Sequence, residues 1–304
     1  MSMPFDDDPR PVFTAMFEAV RRYLLTEGGA VEARAPVATN PKGEATRGFD
    51  AEAERIALAV ARAQLGSFCA FSEEAGELVC GRDAHWTLVI DPCDGSNNFR
   101  RGIRAVGFAV AALPVGAPLD PGLVQYAICG DIFTGALYSA ARGAGATLDG
   151  QPCHASATRR LRQTVLGINL GRERPPQAAL PPDVHVDARE DEERAEAAVR
   201  YAADQVHRLL NRASTVRRMG ATVLDLCYVA QGAYDAYVDL RERLTPENFL
   251  APALVLHEAG ALLTGPDGQP LGPAEFTRPY SVLAAATPEL LGEILDVLAE
   301  PPSC

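Results

Sequence analysis

Two aspartates three residues apart, Asp91 and Asp94, close the run Trp86-Thr-Leu-Val-Ile-Asp91-Pro92-Cys93-Asp94-Gly95-Ser96. The apolar residues Leu88, Val89 and Ile90 predict a buried strand that delivers both acids at its end. Pro92 is expected to stop that strand, and Gly95 to allow the tight turn behind it. Carboxylates held this close repel each other unless positive charge lies between them. A hard divalent cation meets that need. Mg²⁺ suits it because it takes a few carboxylates and leaves positions for water and phosphate. Gly95, Ser96 and Asn97 would open a short helix whose backbone N–H groups welcome an anion. Metal-assisted phosphate chemistry is the simplest reading. The bland alternative is a surface turn of the Asp-Pro-x-Asp-Gly type, capped by its own side chains.

More acids lie upstream. Phe68-Cys-Ala-Phe-Ser72 predicts a strand that ends in Glu73 and Glu74, and the ordinary fate of such residues is solvent. Asp50 stands at the head of an Ala-rich helix predicted over 50–65, where its plain role is an N-cap. Among the 28 basic residues only Lys42 is a lysine, and it lies in the loop just before that helix. Its isolation makes it a candidate for the site.

The nine residues Asp91-Pro92-Cys93-Asp94-Gly95-Ser96-Asn97-Asn98-Phe99 closely resemble the Asp-Pro-[Ile/Leu]-Asp-Gly-[Thr/Ser]-x-Asn-Phe motif of the inositol monophosphatase family. Cys93 replaces Ile or Leu at a position the family uses through its backbone carbonyl. The resemblance implies a phosphomonoesterase that uses Mg²⁺, or Mn²⁺, to activate water. It places Glu73, Asp91, the Cys93 carbonyl and Asp94 around the metal, with Lys42 nearby. Asp50 would hydrogen-bond Ser96, and the pair would orient the attacking water; Gly95 and Ser96 would also contact the phosphate.

Met219-Gly220-Ala221…Asp225-Leu-Cys227-Tyr-Val-Ala-Gln-Gly232 and Asp239-Leu-Arg241 resemble the archaeal-type members, for which activity towards inositol phosphate and fructose bisphosphate is typical. Gly220, Ala221 and Asp239 fall at positions that contact substrate hydroxyls or backbone. Arg217 and Arg241 are candidate clamps for a second phosphate, since Arg binds phosphate through two parallel hydrogen bonds; surface ion pairs are the equally plain alternative. One residue departs from the pattern. Counting back from Glu258-Ala259-Gly260 puts Asn248 where the family has a metal-binding Asp. Asn offers a neutral oxygen that can still ligate weakly but lacks the charge; Glu247 beside it is the alternative acid to reach in, although a one-residue shift at a helix start points in a different direction. A degenerate, non-catalytic member that binds a sugar phosphate or a protein partner is therefore the alternative function.

The resemblance runs from about residue 40 to 300 and implies an α+β fold, the layered α/β/α/β/α sandwich of the sugar phosphatases. It also implies a small-molecule phosphate ester as substrate and a homodimer. Composition agrees with that address. A net charge of −12 over 304 residues disfavours a general nucleic-acid or membrane-surface binder. No apolar run approaches a membrane span, no secretory signal is visible, and the seven cysteines (69, 80, 93, 129, 153, 227 and 304) lack metal-ligand spacing. A reducing cytoplasm is the expected location.

The elements that must position these residues follow from periodicity. A helix is expected from Phe13 to Leu25, and strands near 68–72, 86–91, 105–114, 123–129 and 136–140, with Asp131 in a link. Residues 145–154 resemble the family's Gly-x-x-x-Asn-Gly-x-x-hydrophobic hairpin. The Pro-rich stretch 171–182 is the expected connector between an N-terminal half, 1–170, and a C-terminal half, 183–304. Beyond it a charged helix is expected over about 190–211, then an Ala/Leu helix after Gly220, strand 235–240, helix 247–259, strands 261–264 and 281–286, and helix 288–299.

Overall fold

The computed structural model describes residues 8–43, 45–169 and 204–301. The expected connector 171–182 and most of the charged helix lie outside them; 204–212 is helical. In chain order the helices are α1 (Arg10–Thr26), α2 (Gly48–Leu65), α3 (Ser96–Arg101), α4 (Thr222–Ala230), α5 (Pro246–Glu258) and α6 (Pro288–Ala299). The strands are β1 (Pro36–Thr39), β2 (Ala45–Arg47), β3 (Phe68–Ser72), β4 (Gly76–Cys80), β5 (Trp86–Asp94), β6 (Gly107–Pro114), β7 (Tyr126–Asp131) and β8 (Leu137–Ala141). They continue with β9 (Ala146–Leu148), β10 (Gln151–Pro152), β11 (Val165–Asn169), β12 (Thr215–Arg217), β13 (Ala236–Leu244), β14 (Leu262–Thr264) and β15 (Tyr280–Ala285).

Two large sheets are stacked with helices outside and between. The eight-stranded sheet has the order β10-β9-β8-β7-β6-β5-β3-β4, and the five-stranded sheet β12-β11-β13-β15-β14. Helices α1 and α2 cover the outer face of the first sheet: Phe13, Met16, Phe49, Ala53 and Ala57 pack on Leu88, Ile90, Phe108 and Val110. Helices α4 and α5 fill the space between the sheets, with Leu226, Phe249 and Leu254 meeting Val89, Ala111 and Cys129 on one side and Tyr237 and Val282 on the other. The outer face of the second sheet is covered by α6 and the 204–212 segment, where Ile294 and Leu209 pack on Ile168, Val238 and Leu283. This is the α/β/α/β/α sandwich anticipated above. The central strands β5 and β6 are buried on both faces, and each large apolar side chain so placed contributes about 1.5–3 kcal/mol.

Local differences have physical reasons. Pro92 does not end β5, which runs on through Asp94; its register with β6 shifts between Asp91 and Asp94, an irregularity that accommodates a proline. Asp50 is not the N-cap of α2; Arg47 is, and Asp50 lies buried in the first helical turn. Asp131 closes β7 rather than lying in a link. β11 pairs in parallel with both β12 and β13, so Val165–Asn169 belongs to the five-stranded sheet although it precedes the Pro-rich stretch. Among the described residues no helix is long and apolar enough to cross a membrane.

Candidate active site

The site forms where the C-terminal end of β5 meets the first turns of α2, α3, α4 and α5. Val89 faces the middle helical layer, so Asp91, two residues on, faces it too. In a regular strand Asp94 would point the opposite way. The register shift turns Cys93 towards the outer core and returns Asp94 to the inner face. There Asp94 Oδ2 accepts the Val223 N–H at the head of α4 at 2.7 Å, and Asp91 Oδ2 accepts the Asn248 side-chain amide from α5 at 3.0 Å. Gly95 has φ of 94°, and a Cβ there would come within 3.0 Å of the Ala105 carbonyl, so this turn requires glycine.

Asp50 and Ser96 are brought together as expected. Ser96 Oγ lies 2.8 Å from Asp50 Oδ1 and 3.1 Å from the Cys93 carbonyl oxygen. A hydroxyl has one proton, so its orientation follows Asp50: an ionised Asp50 draws the Ser96 proton towards itself. Burial pushes the Asp50 pKa up to about 7, against the hydrogen bond from Ser96. Burial likewise raises Asp91, with Asp94 and Glu247 adding repulsion, and raises Asp94 to about 7 against the Val223 N–H. Glu73 is raised by burial and then by Asp91.

Three positioning residues escaped sequence analysis. Glu54 accepts hydrogen bonds from the Ser72 hydroxyl and from the Glu74 N–H, the latter at 2.9 Å, and so fixes the turn carrying Glu73. Thr46 donates to Glu74. Asn98 Nδ2 reaches the carbonyl oxygens of Ala105 at 2.9 Å and Met219 at 2.8 Å, tying α3 to the loop before α4. The signal for Glu54 was its spacing: four residues after Asp50 it lies on the same helical face.

Glu247, the acid next to Asn248, does reach in. It pairs with Lys42 and accepts from the Thr245 hydroxyl, while its Oε2 is buried with no hydrogen-bond partner among the described residues. Lys42 Nζ also donates to Thr245 Oγ1 at 2.9 Å. Asn248 Oδ1 in turn accepts the Thr245 N–H at 3.0 Å, so the amide is oriented with its NH₂ towards Asp91. Of the other candidates, Gly220 adopts φ of 74° and Ala221 is the buried N-cap of α4. Arg241 forks onto Asp239 with contacts of 2.9 and 2.6 Å. Arg217 is exposed and folds back on Thr215 and the Val216 carbonyl.

The donor set, carboxylates and a carbonyl with raised acid pKa values, has the chemistry of a hard-cation site. Among the described residues no three His, Cys, Asp or Glu side chains converge in a metal cage. The inositol monophosphatase family model matches residues 12–300. The chain belongs to the inositol monophosphatase family. A fructose-1,6-bisphosphatase/inositol-1-monophosphatase of Methanocaldococcus jannaschii is 28% identical over 282 residues, 92% of this chain and 95% of that protein. The Nus factor SuhB of Escherichia coli is 30% identical over 218 residues, 71% of this chain and 69% of that protein. The crystal structure of the extragenic suppressor protein SuhB from Bartonella henselae has a TM-score of 0.76 at 22% identity, covering 96% of this chain and 98% of that one. As an inositol monophosphatase family member the chain stands among phosphatases of sugar phosphates.

Proposed function

We propose that the protein is a metal-dependent phosphomonoesterase acting on a small sugar or polyol phosphate, inositol monophosphate or fructose 1,6-bisphosphate. The Ser96–Asp50 pair beside the Cys93 carbonyl, at the end of β5 that carries Asp91 and Asp94, is the observation that supports it. Asp91, Asp94, Glu73 and the Cys93 carbonyl would hold Mg²⁺ or Mn²⁺, which when bound supplies Lewis acidity to the phosphoryl oxygens and to water. Asp50, in its ionised form, draws the Ser96 hydroxyl proton and leaves the Ser96 lone pairs to accept from a water molecule. That orients the water for in-line attack. Its oxygen bonds to phosphorus, the ester P–O bond breaks, and the departing alkoxide takes the proton released by the attacking water to become the alcohol, with no phosphoenzyme. Asp239 and the backbone around Gly220 and Ala221 would receive the polyol. Arg241 or Arg217 would meet a second phosphate by exchanging its present partners.

One observation favours a second reading. Asn248 presents an N–H to Asp91 where an acid was expected, which suits a non-catalytic member that binds a sugar phosphate or a protein partner. Phosphate release from a panel of phosphoesters, with and without Mg²⁺ or Mn²⁺, separates the two. Metal-dependent release supports the enzyme. Binding of the esters without release under either metal supports the alternative. The homodimer and the cytoplasmic address belong to the same proposal, and sedimentation tests the former.

A further inference from the structure

On the α5 side of the cleft the Lys42 ammonium group and the Asn248 amide donate to the acids, while Glu247 Oε2 is buried with no hydrogen-bond partner among the described residues. Glu247 is the one acid that α5 brings inward, and its Oε1 is bound to Lys42, whose side chain is 10% exposed against 0% for that of Glu247. Thr245 Oγ1 accepts from the same ammonium group, and the Phe276 ring lies 5.1 Å from Nζ, with its electron-rich face available to a cation. The Lys42 loop is itself fixed. Asn40 Oδ1 accepts the Lys42 N–H at 3.0 Å, and Gly43 closes the turn onto the Asn40 carbonyl. Burial works against the Lys42 charge, but Glu247, Glu73 and Asp91 outweigh it and hold its pKa above the ordinary value.

We propose that Lys42 is a built-in cation of this site: its ammonium group, anchored by Glu247 and Thr245, takes the place of a divalent ion on the α5 side and leaves one exchangeable metal position. This rests on the phosphatase reading above. The substitution is coherent as charge and as geometry. Asn248 is neutral, and its amide occupies Asp91 Oδ2 from the α5 side at 3.0 Å. An ammonium group is a compact point charge with three donors, able to stabilise phosphoryl oxygens. It has no Lewis acidity, so water activation falls to the opposite side, where Ser96 and Asp50 lie.

Counting Mn²⁺ tests it, by titration of the full chain with the free ion followed by electron paramagnetic resonance. One tightly bound Mn²⁺ per wild-type chain is expected, and two in Lys42→Gln, because Glu247 is then released to ligate. Lys42→Arg, which keeps the charge, should retain one. Two Mn²⁺ in the wild type, or the same count in wild type and Lys42→Gln, overturns the proposal, and the wild-type count decides if the Gln variant does not fold. Phosphate release by the wild type is measured in parallel. Release with an unchanged Mn²⁺ count refutes the built-in cation alone, whereas no Mn²⁺ bound and no release refutes the phosphatase reading as well.

Discussion

The Asn248 side-chain amide donates to Asp91 Oδ2 at 3.0 Å across 157 residues of sequence, and the same side chain accepts the Thr245 N–H. One residue thus caps its own helix and satisfies a buried acid on the neighbouring sheet. An Asp there could keep the first contact but would turn the second into repulsion.

Asn248→Asp should accordingly destabilise the metal-free protein by about 1–3 kcal/mol, a fall of several degrees in Tm. Mn²⁺ should restore the loss, and turnover should rise while the metal concentration needed for it falls. Differential scanning calorimetry with and without Mn²⁺ checks the first part and phosphate release the second. A variant whose Tm ignores Mn²⁺ would count against a cation between α5 and β5.

Asp91→Asn should abolish stabilisation by metal. Wild-type Tm is expected to climb with Mg²⁺ or Mn²⁺ concentration by mass action, and the variant Tm to stay flat. A flat response already in the wild type would remove the metal from the mechanism.

Ser96→Ala should lower kcat by about 10²-fold or more, with little change in KM, because Ser96 acts on water rather than on the ester. Asp50→Asn should do the same. The double variant should be no worse than either single one, since the two residues act as a unit through one 2.8 Å contact. Additive losses would show two separate roles, and a loss confined to KM would make Ser96 a phosphate-binding group.

Glu54→Ala should cost stability, by about 1–3 kcal/mol for stranding the Ser72 hydroxyl and the Glu74 N–H. It should also weaken Mn²⁺ binding, because the turn carrying Glu73 loses its anchor. Isothermal titration gives the second readout, which a purely structural role elsewhere in α2 would leave unchanged.

Asp225 gives the fold a pH dependence. It is fully buried on α4, no side chain among the described residues hydrogen-bonds its carboxylate, and burial followed by Asp239 pushes its pKa from 3.8 to about 8. Between those values the folded state holds a proton that the unfolded state has lost, so this group makes stability fall as pH rises and level off above about 8. The slope is at most about 1.4 kcal/mol per pH unit. Asp225→Asn should remove that slope, so that its Tm advantage over wild type grows from near zero at the acid end to a maximum in mild alkali. Parallel Tm profiles for the two proteins would show that Asp225 finds a partner in solution.

The sequence by itself determined the order of the acids along the chain, the strands and helices with clear periodicity, and the layered fold. Leu88, Val89 and Ile90 mark a strand buried on both faces, and Pro288 opens α6 where a proline fits the first helical turn. Asp91 and Asp94 were legible because they belong to one compact local motif, whereas the pairing of Asp50 with Ser96, 46 residues away, was expected only from the family resemblance. The edge strands β4 and β12 were not, because a few residues with mixed polarity carry no period of their own and are strands only by virtue of their neighbours. Tertiary structure alone decided which way the critical side chains point. The shift in β5 that returns Asp94 to the face of Asp91 is set by pairing with β6, not by the residues between them. Lys42 and Glu247 are 205 residues apart, and their pairing exists only because the Asn40–Gly43 turn and the head of α5 are packed into the same cleft. Spacing along the chain fixes which groups are present; burial and opposite charge at close range fix which of them meet.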